Sequence, residues 1–191
     1  MTSISKKYTV KIPKNIVVLY CKKKKIITID GPLNRKSLKL KIEIQLLKKE
    51  NKINVTSTST SRISNNQRKK IKSIQGTTVA LIKQLIVETS TILYQKIKFI
   101  GVGYRAFEVE NFENKILLFK LGYSHAIYYK IPKNLQIFCL KLTKLFVYGS
   151  LYQNITQTTA LIRSYKQPEP YKGKGILYEN EIIKLKEGKK V

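Results

Sequence analysis

The chain has 191 residues, of which 42% are hydrophobic, so it can form one medium domain or two small ones with packed cores, and wholesale disorder is not expected. Lysine and arginine number 38 against 11 acidic residues, a formal net charge of +27, and a polyanion such as nucleic acid would relieve this excess best. No stretch approaches the ~18 apolar residues of a membrane-spanning helix, and the N-terminus shows neither a secretory signal nor an arginine-rich presequence.

A repeated order of short motifs indicates two related domains. Ile12-Pro-Lys-Asn-Ile16 recurs as Ile131-Pro-Lys-Asn-Leu135, and each copy leads into a strand that ends in a cysteine and a second strand that closes at a glycine. Related helices finish both halves, with Thr77-Thr-Val-Ala-Leu-Ile-Lys83 in the first and Thr158-Thr-Ala-Leu-Ile-Arg163 in the second. Three matches in the same order predict a duplicated domain.

The first half contains further strand and helix patterns. Lys22 to Lys25 separate two strands, and they suit either a solvated hairpin turn or a finger that reaches phosphates. Leu38 to Leu47 alternates apolar and polar residues, which predicts one strand with one buried face, and a second strand follows over Lys52 to Thr56. A polar loop is predicted from Ser57 to Asn66. The helix that follows has an apolar stripe formed by Ile71, Ile74, Ile82, Leu85 and Ile86.

The second half repeats this composition of strands and one helix. Its predicted strands are Ile92 to Ile100, Tyr104 to Val109, Ile116 to Leu121 and Ala126 to Ile131, with a break at Val102-Gly103. Its helix carries an apolar stripe of Leu151, Ile155, Ile162 and Tyr165.

Together these patterns predict an α+β fold of two tandem domains, each a small antiparallel sheet covered by one helix, plus an extended basic C-terminal tail. We expect the domain boundary near Ser90, between an N-terminal domain of residues 1–90 and a C-terminal domain of residues 91–191.

Catalytic and metal-binding patterns are missing. His125 is the only histidine, and the two cysteines, Cys21 and Cys139, lie far apart without a CxxC partner, as expected of buried apolar side chains. Gly101-Val-Gly103 precedes a strand and not a helix, so it does not suit a dinucleotide. The sequence therefore predicts no enzyme, no metal, no cofactor and no small-molecule substrate.

The run from Pro168 to Ile176 is the most distinctive segment. Its prolines stiffen the chain, Tyr171 offers a flat ring to a base, and Lys172 and Lys174 can pair with phosphates. Two intervening glycines would let the backbone come close to a ligand. The pattern suits either nucleic-acid contact or a turn that leads into a last strand near Leu177 to Ile183.

Several motifs, in order, resemble the bacterial-type ribosomal protein L6 family of the large subunit. They are Gly101-Val-Gly-Tyr-Arg-Ala106, Leu121-Gly-Tyr-Ser-His125, Ile131-Pro132, Ala160-Leu-Ile-Arg163 and Pro168-Glu-Pro-Tyr-Lys-Gly-Lys-Gly-Ile176. The chain departs from the family at Ala126, where proline is usual, and at Ser150-Leu-Tyr152, where an Asp-Lys pair is usual. The segment from Lys48 to Lys72 also diverges.

The resemblance implies two tandem α+β domains and a structural constituent of the large ribosomal subunit. It implies binding to large-subunit rRNA near the stalk base and the sarcin–ricin loop, next to neighbouring ribosomal proteins, in support of the region where translational GTPases dock. The implied rRNA-binding residues are Ser124, His125, Lys166, Tyr171, Lys172, Gly173, Lys174, Gly175, Ile176, Lys186, Lys189 and Lys190.

Only five of the 38 basic residues are arginine. Lysine-rich, arginine-poor usage is typical of an AT-rich genome, and we therefore expect the mitochondrial matrix, within the mitoribosome. A plastid or the bacterial cytoplasm is the alternative.

Two other classes of function compete with this interpretation. One is a free-standing basic adaptor for a membrane surface or an acidic protein, although no strongly amphipathic helix supports it. The other is a hydrolase or transferase that uses His125.

Overall fold

The structure is a computed structural model that describes residues 8–47, 50–56, 64–109 and 116–188. The chain divides into two compact units, the first ending at Thr91 and the second beginning at Ile92. Each unit combines small antiparallel sheets with one helix, so the predicted α+β class is confirmed. The prediction of one sheet per half is wrong, because the strands of each unit form two separate sheets.

The described part of the first unit contains six strands and one helix. They are β1 (Thr9–Lys11), β2 (Val17–Cys21), β3 (Ile26–Asp30), β4 (Arg35–Lys39), β5 (Ile44–Leu47), β6 (Lys52–Val55) and α1 (Asn65–Ser90). One antiparallel sheet has the order β1-β6-β5 and the other β2-β3-β4. Ile27, Ile53 and Ile82, from both sheets and the helix, are fully buried in one core.

The described part of the second unit contains seven strands and one helix. They are β7 (Leu93–Ile100), β8 (Arg105–Val109), β9 (Ile116–Lys120), β10 (Ile127–Lys130), β11 (Leu135–Lys141), β12 (Lys144–Gly149), α2 (Tyr152–Ser164) and β13 (Gly175–Tyr178). The sheet orders are β10-β9-β8 and β11-β12-β7-β13. Ile97, Phe119, Leu145 and Ile162 lie in its core.

The two units share one topology when their strands are matched in chain order. Strands β7, β12 and β11 correspond to β1, β6 and β5, and strands β8, β9 and β10 correspond to β2, β3 and β4. A helix follows the six strands in both units, and β13 is an addition to the second. The duplicated architecture is therefore present in the structure.

The Ile-Pro-Lys-Asn repeat, however, does not mark equivalent positions. The first copy joins β1 to β2 and the second joins β10 to β11. Both form the same turn, since Ile16 N–H donates to the Pro13 carbonyl (3.3 Å) and Leu135 N–H donates to the Pro132 carbonyl (3.1 Å). Each turn moves the chain from one sheet to the other. The proline turn recurs because this kind of crossing occurs more than once per unit, and the predicted alignment of the motifs is wrong.

The predicted strand from Leu38 to Leu47 is in fact two strands in different sheets. Leu40 N–H donates to the Lys25 carbonyl (2.7 Å), and Glu43 already accepts from Thr56 N–H (3.3 Å) on the other sheet. Leu40 and Ile44 are both buried, so the alternation of apolar residues continues through the corner. When alternate residues keep facing inward through a corner, the alternation of apolar and polar residues is not interrupted. The sequence pattern therefore does not reveal the corner.

The turns between neighbouring strands agree better with the sequence. Lys22 to Lys25 form the hairpin turn between β2 and β3, and Lys25 has a φ of 54°. The break at Val102-Gly103 separates β7 from β8. A strand and not a helix follows the break at Val102-Gly103, as the sequence pattern predicts.

Helix α1 begins after Ser64, whose side chain accepts a hydrogen bond from Gln67 N–H. It therefore includes Asn66, which the sequence pattern places in the preceding loop. Its buried face is more polar than the predicted apolar stripe and consists of Gln75, Thr78, Val79, Ile82, Ile86, Glu88 and Thr89. The Glu88 carboxylate accepts hydrogen bonds from Lys36 Nζ (2.6 Å) and Gln84 Nε2 (2.8 Å), which offset the cost of burying its charge.

Helix α2 uses Ile155 and Ile162 for its buried face, as predicted, together with Thr158 and Thr159. Leu151 is not part of this face. It stands at the N-cap in an extended conformation and is 39% exposed. Within the described residues, no helix is both long and apolar enough to cross a membrane.

The two faces of α1 give a matched test of the first unit's core. We expect Ile82→Ala to lower the free energy of unfolding by about 2–5 kcal/mol, because Ile82 is fully buried. Leu81→Ala removes an exposed side chain from the next position and should cost less than about 1 kcal/mol. Urea unfolding monitored by circular dichroism measures both, and equal losses of stability would contradict this orientation of the helix.

Candidate nucleic-acid interface

The Pro168–Ile176 segment connects α2 to the edge of a sheet. Its last two residues begin β13, which pairs antiparallel with β7, with Gly175 opposite Ile100 and Ile176 opposite Phe99. Ile176 N–H also donates to the Lys166 carbonyl (2.9 Å). The segment is therefore held at both of its ends.

The last strand differs from its prediction. The sequence pattern favours a strand over Leu177 to Ile183, but β13 starts at Gly175 and ends at Tyr178. A turn stops it, because Glu181 N–H donates to the Tyr178 carbonyl (3.1 Å). The strand thus begins inside the distinctive motif, and residues 179–188 contain no helix or strand.

A tight loop forms the middle of the motif. Glu169 N–H donates to the Lys174 carbonyl (2.8 Å), and Gly173 N–H donates to the Glu169 carbonyl (3.0 Å). Gly173 has a φ of 67°, a conformation that glycine adopts without strain. At the tip, Tyr171 is 54% exposed and Lys172 is also exposed, while Lys174 is half-buried. Backbone hydrogen bonds thus present a ring and an ammonium group to solvent.

Gly175 lies where two segments of the chain come into close contact. It is buried, and a Cβ atom there would lie 2.5 Å from Pro168 Cα. Its φ of 149° is also one that other residues rarely adopt. The glycine therefore allows two segments of this protein to cross.

Ile176 was also expected to contact RNA. Its side chain is fully buried in the core of the second unit, where it anchors β13.

The Leu121–His125 motif lies next to the start of this segment. Tyr123 donates a hydrogen bond from its hydroxyl to the Tyr165 carbonyl (3.0 Å), and Lys166 Nζ lies 4.3 Å from the centre of the Tyr123 ring. The His125 ring stacks on Tyr123 at 5.8 Å between centroids. Ser124 and His125 are exposed, and Lys166 is half-buried.

Tyr123 was missing from the predicted site, although it belongs to a motif that the sequence singled out. It is 43% exposed and contacts both Lys166 and His125. An isolated tyrosine in a loop carries no signal of such contacts, because Tyr165 and Lys166 come from a distant part of the chain.

Arg163 and Glu181 hold the chain after β13 against α2. Arg163 Nε donates to Glu181 Oε2 (3.0 Å), a second guanidinium nitrogen donates to Oε1, and Tyr178 N–H donates to Oε2 (3.1 Å). These hydrogen bonds, led by that of Arg163, lower the pKa of the Glu181 carboxyl. The pair is partly buried.

Lys186 also returns to the loop. Its N–H donates to the Pro170 carbonyl (2.9 Å), and its side chain is exposed. Lys189 and Lys190, which were also predicted to bind RNA, lie outside the described residues.

The two cysteines lie in different environments. Burial, with a contribution from Glu108, raises the pKa of the Cys139 thiol to about 12, so it stays protonated at neutral pH. Cys21 was expected to be buried and is instead exposed at the end of β2. Among the described residues, no group of three His, Cys, Asp or Glu side chains could hold a metal ion.

Comparison with known proteins finds a matching family model and several similar proteins. The family model described as Ribosomal protein L6 matches residues 100–179, which include the Tyr123 loop and the whole Pro168–Ile176 segment. Large ribosomal subunit protein uL6 of Persephonella marina is 35% identical over 191 residues, covering 100% of this chain and 99% of the relative. The proteins of the same name from Mycoplasmoides gallisepticum and Mycoplasma pneumoniae are 35% and 37% identical, covering 93% and 85% of this chain and 91% and 84% of the relatives.

The close crossing of the chain at Gly175 and Pro168 can be tested by adding one methyl group at Gly175. We expect Gly175→Ala to lower the free energy of unfolding by about 1–3 kcal/mol, since the new Cβ meets backbone and the φ is unfavourable. Gly76→Ala is the control, because that helical position has open space and alanine should raise stability by about 0.5–1 kcal/mol. Thermal unfolding measures the stability of both variants, and an increase in both would contradict the crossing.

The Arg163–Glu181 contact predicts a pH dependence. Because folding lowers the pKa of Glu181, its contribution is complete above pH ~4.5 and disappears as the pH falls through the folded pKa. The stability deficit of Glu181→Gln relative to wild type should therefore be largest near pH 7 and shrink in acid. Urea unfolding at several pH values measures it, with the exposed Glu187→Gln as control. A deficit that did not change with pH would contradict the contact.

Proposed function

The chain belongs to the ribosomal protein L6 family, and from this premise we propose that its second unit binds large-subunit rRNA through the surface around the Glu169–Lys174 loop. Membership makes the chain a structural constituent of the large ribosomal subunit and not an enzyme. Its place is in the ribosome, and its partners there are rRNA and other ribosomal proteins.

The loop itself is the observation that supports this surface. Tyr171 and Lys172 stand at the tip of a loop whose conformation depends on its own backbone hydrogen bonds and on the Gly175 crossing. A preformed loop loses little conformational entropy on binding. The Tyr171 ring suits stacking on a base or ribose, and the Lys172 ammonium suits a phosphate.

The proposed site residues differ in what they can offer to RNA. The exposed or half-buried side chains are Ser124, His125, Lys166, Tyr171, Lys172, Lys174 and Lys186, to which we add Tyr123. Gly173 contributes the turn that presents them, and Gly175 and Ile176 contribute the support beneath. We also include Lys189 and Lys190, because the family resemblance implies them as rRNA-binding residues.

We also propose the finer location that the family resemblance implies. In it, residues 91–191 form the rRNA-binding domain and lie near the stalk base and the sarcin–ricin loop, beside neighbouring large-subunit proteins. The chain would then support the region where translational GTPases dock. The N-terminal domain, residues 1–90, would contribute further phosphate contacts through lysines such as those of the Lys22–Lys25 turn.

We also propose a cellular compartment for this chain. The lysine-rich composition favours an AT-rich genome and hence the mitochondrial matrix. The three relatives named above are bacterial, which lends no support to a mitochondrial location over the bacterial cytoplasm. Detection of the chain by mass spectrometry in purified mitochondrial ribosomes, or in bacterial ribosomes, decides between them.

The loop predicts a specific dependence on salt. Replacing Lys172 and Lys174 by alanine should weaken binding to large-subunit rRNA several-fold, and it should lower the slope of log affinity against log salt by roughly 1 for each phosphate that is no longer neutralised. Filter binding between low and moderate KCl concentrations measures both quantities. The matched control replaces two other exposed lysines, Lys130 and Lys133 on either side of Ile131-Pro132, by alanine and so removes the same charge from a different segment.

An equal effect of the two sets of variants would show that the loop contributes only general charge. Unchanged affinity and unchanged occupancy of the loop variant in purified large subunits would remove the loop from the interface.

A further inference from the structure

The outer face of the four-stranded sheet in the second unit carries a row of four aromatic rings. We call these residues, Tyr94, Phe138, Phe146 and Tyr148, the aromatic ladder. Tyr94 and Phe146 stack at 5.2 Å between centroids, Phe146 and Tyr148 lie 6.0 Å apart, and Tyr148 stacks on Phe138 at 5.8 Å. The row therefore crosses β7, β12 and β11 without interruption.

The ladder faces away from the core. Side chains alternate along a strand, and the neighbours Ile97, Leu145, Val147 and Ile137 are buried on the opposite face. Tyr94 is 54% exposed and Phe138 is 41% exposed, while Phe146 and Tyr148 are half-buried by their neighbours. Cross-strand aromatic pairs do stabilise a sheet, but stability alone does not require so much apolar surface in contact with water.

The only charged side chains in the three strands that carry the ladder are positive. Strands β7, β11 and β12 lie wholly within the described residues and contain lysines but no acidic residue. Lys96 Nζ lies 5.7 Å from the centre of the Tyr94 ring and 3.4 Å from a Glu179 carboxylate oxygen. Lys98 and Lys144 lie opposite each other on the same face, and Lys98 Nζ also donates to the Glu179 carbonyl (2.9 Å). A protein-binding patch is usually depleted in lysine at its centre, whereas single-stranded nucleic acid requires both rings and cations.

We propose that the aromatic ladder is a second RNA-binding surface, which stacks unpaired nucleotides while Lys98 and Lys144 neutralise their phosphates. A four-stranded antiparallel sheet with exposed rings is a known way to bind single-stranded RNA, since every base offers a flat face. The proposal rests on the chain's place in a ribonucleoprotein particle, but it uses none of the residues of the Glu169–Lys174 loop, so the two surfaces can fail independently.

The test uses the full chain and a short fluorescently labelled oligouridylate, whose anisotropy reports binding. Replacing Tyr94 and Phe138 together by serine should weaken binding at least tenfold, because removing each stacked ring lowers affinity several-fold or more. The slope of log affinity against log salt should stay unchanged, since the lysines remain. The conservative pair Tyr94→Phe and Phe138→Tyr keeps both rings and should bind like wild type.

A second variant isolates the phosphate contacts. Lys98→Ala with Lys144→Ala should lower the salt slope by roughly 0.7 for each phosphate that is no longer neutralised. The control for the rings is Tyr128→Ser, which removes a 66% exposed tyrosine from β10 in the other sheet. Circular dichroism establishes that each variant remains folded. The loop variant of Lys172 and Lys174 should retain binding to the oligouridylate.

Two outcomes would overturn the proposal. The first is oligouridylate binding that is the same for wild type and for the serine variant of Tyr94 and Phe138. The second is a loss of binding that Tyr128→Ser reproduces. In the first case, a loss of protein crosslinks by the same variant in the intact subunit would show that the ladder contacts a protein.

Discussion

The addition of β13 to the edge of β7 is the interaction on which the candidate surface depends. It requires the chain to cross itself where Gly175 meets Pro168, with no room for a side chain. Burial of Ile176 then fixes the strand, and the Arg163–Glu181 contact holds the chain that follows it. Without this crossing, the Glu169–Lys174 loop would have one free end, and Tyr171 and Lys172 would lose their fixed presentation.

Strand β7 serves three purposes at once. Its inward residues Ile97 and Phe99 build the core, its edge accepts β13, and its outward residue Tyr94 begins the aromatic ladder. The geometry of a strand makes this possible, because successive side chains point to opposite faces while the backbone bonds sideways. The loop and the ladder thus depend on the same scaffold and yet offer different chemistry. The loop presents a small, shaped contact, and the ladder presents a wide aromatic surface bordered by lysine.

The family-level conclusions depended on short motifs that could be read without a structure. The Tyr123 loop and the Pro168–Ile176 run lie within the segment that matches the family model. The roles of individual residues in those motifs were harder to predict. Gly175 and Ile176, which the family resemblance implies as rRNA-binding residues, are buried and support the loop from inside. A glycine that permits contact with RNA and a glycine that permits a crossing of the chain have the same local signature.

By itself, the sequence determined the α+β class, the strand composition of both halves, the strong positive charge and the L6 resemblance, because these depend on hydrophobic period, residue type and local motif. Only the tertiary structure decided the corner between Leu40 and Ile44, the pairing of β13 with β7 and the contact of Tyr123 with Lys166. It also decided that the Ile-Pro-Lys-Asn copies are not equivalent in topology. The physical reason is common to all four. Each depends on which distant segments become neighbours, and the alternation of apolar and polar residues is the same whichever strand lies alongside.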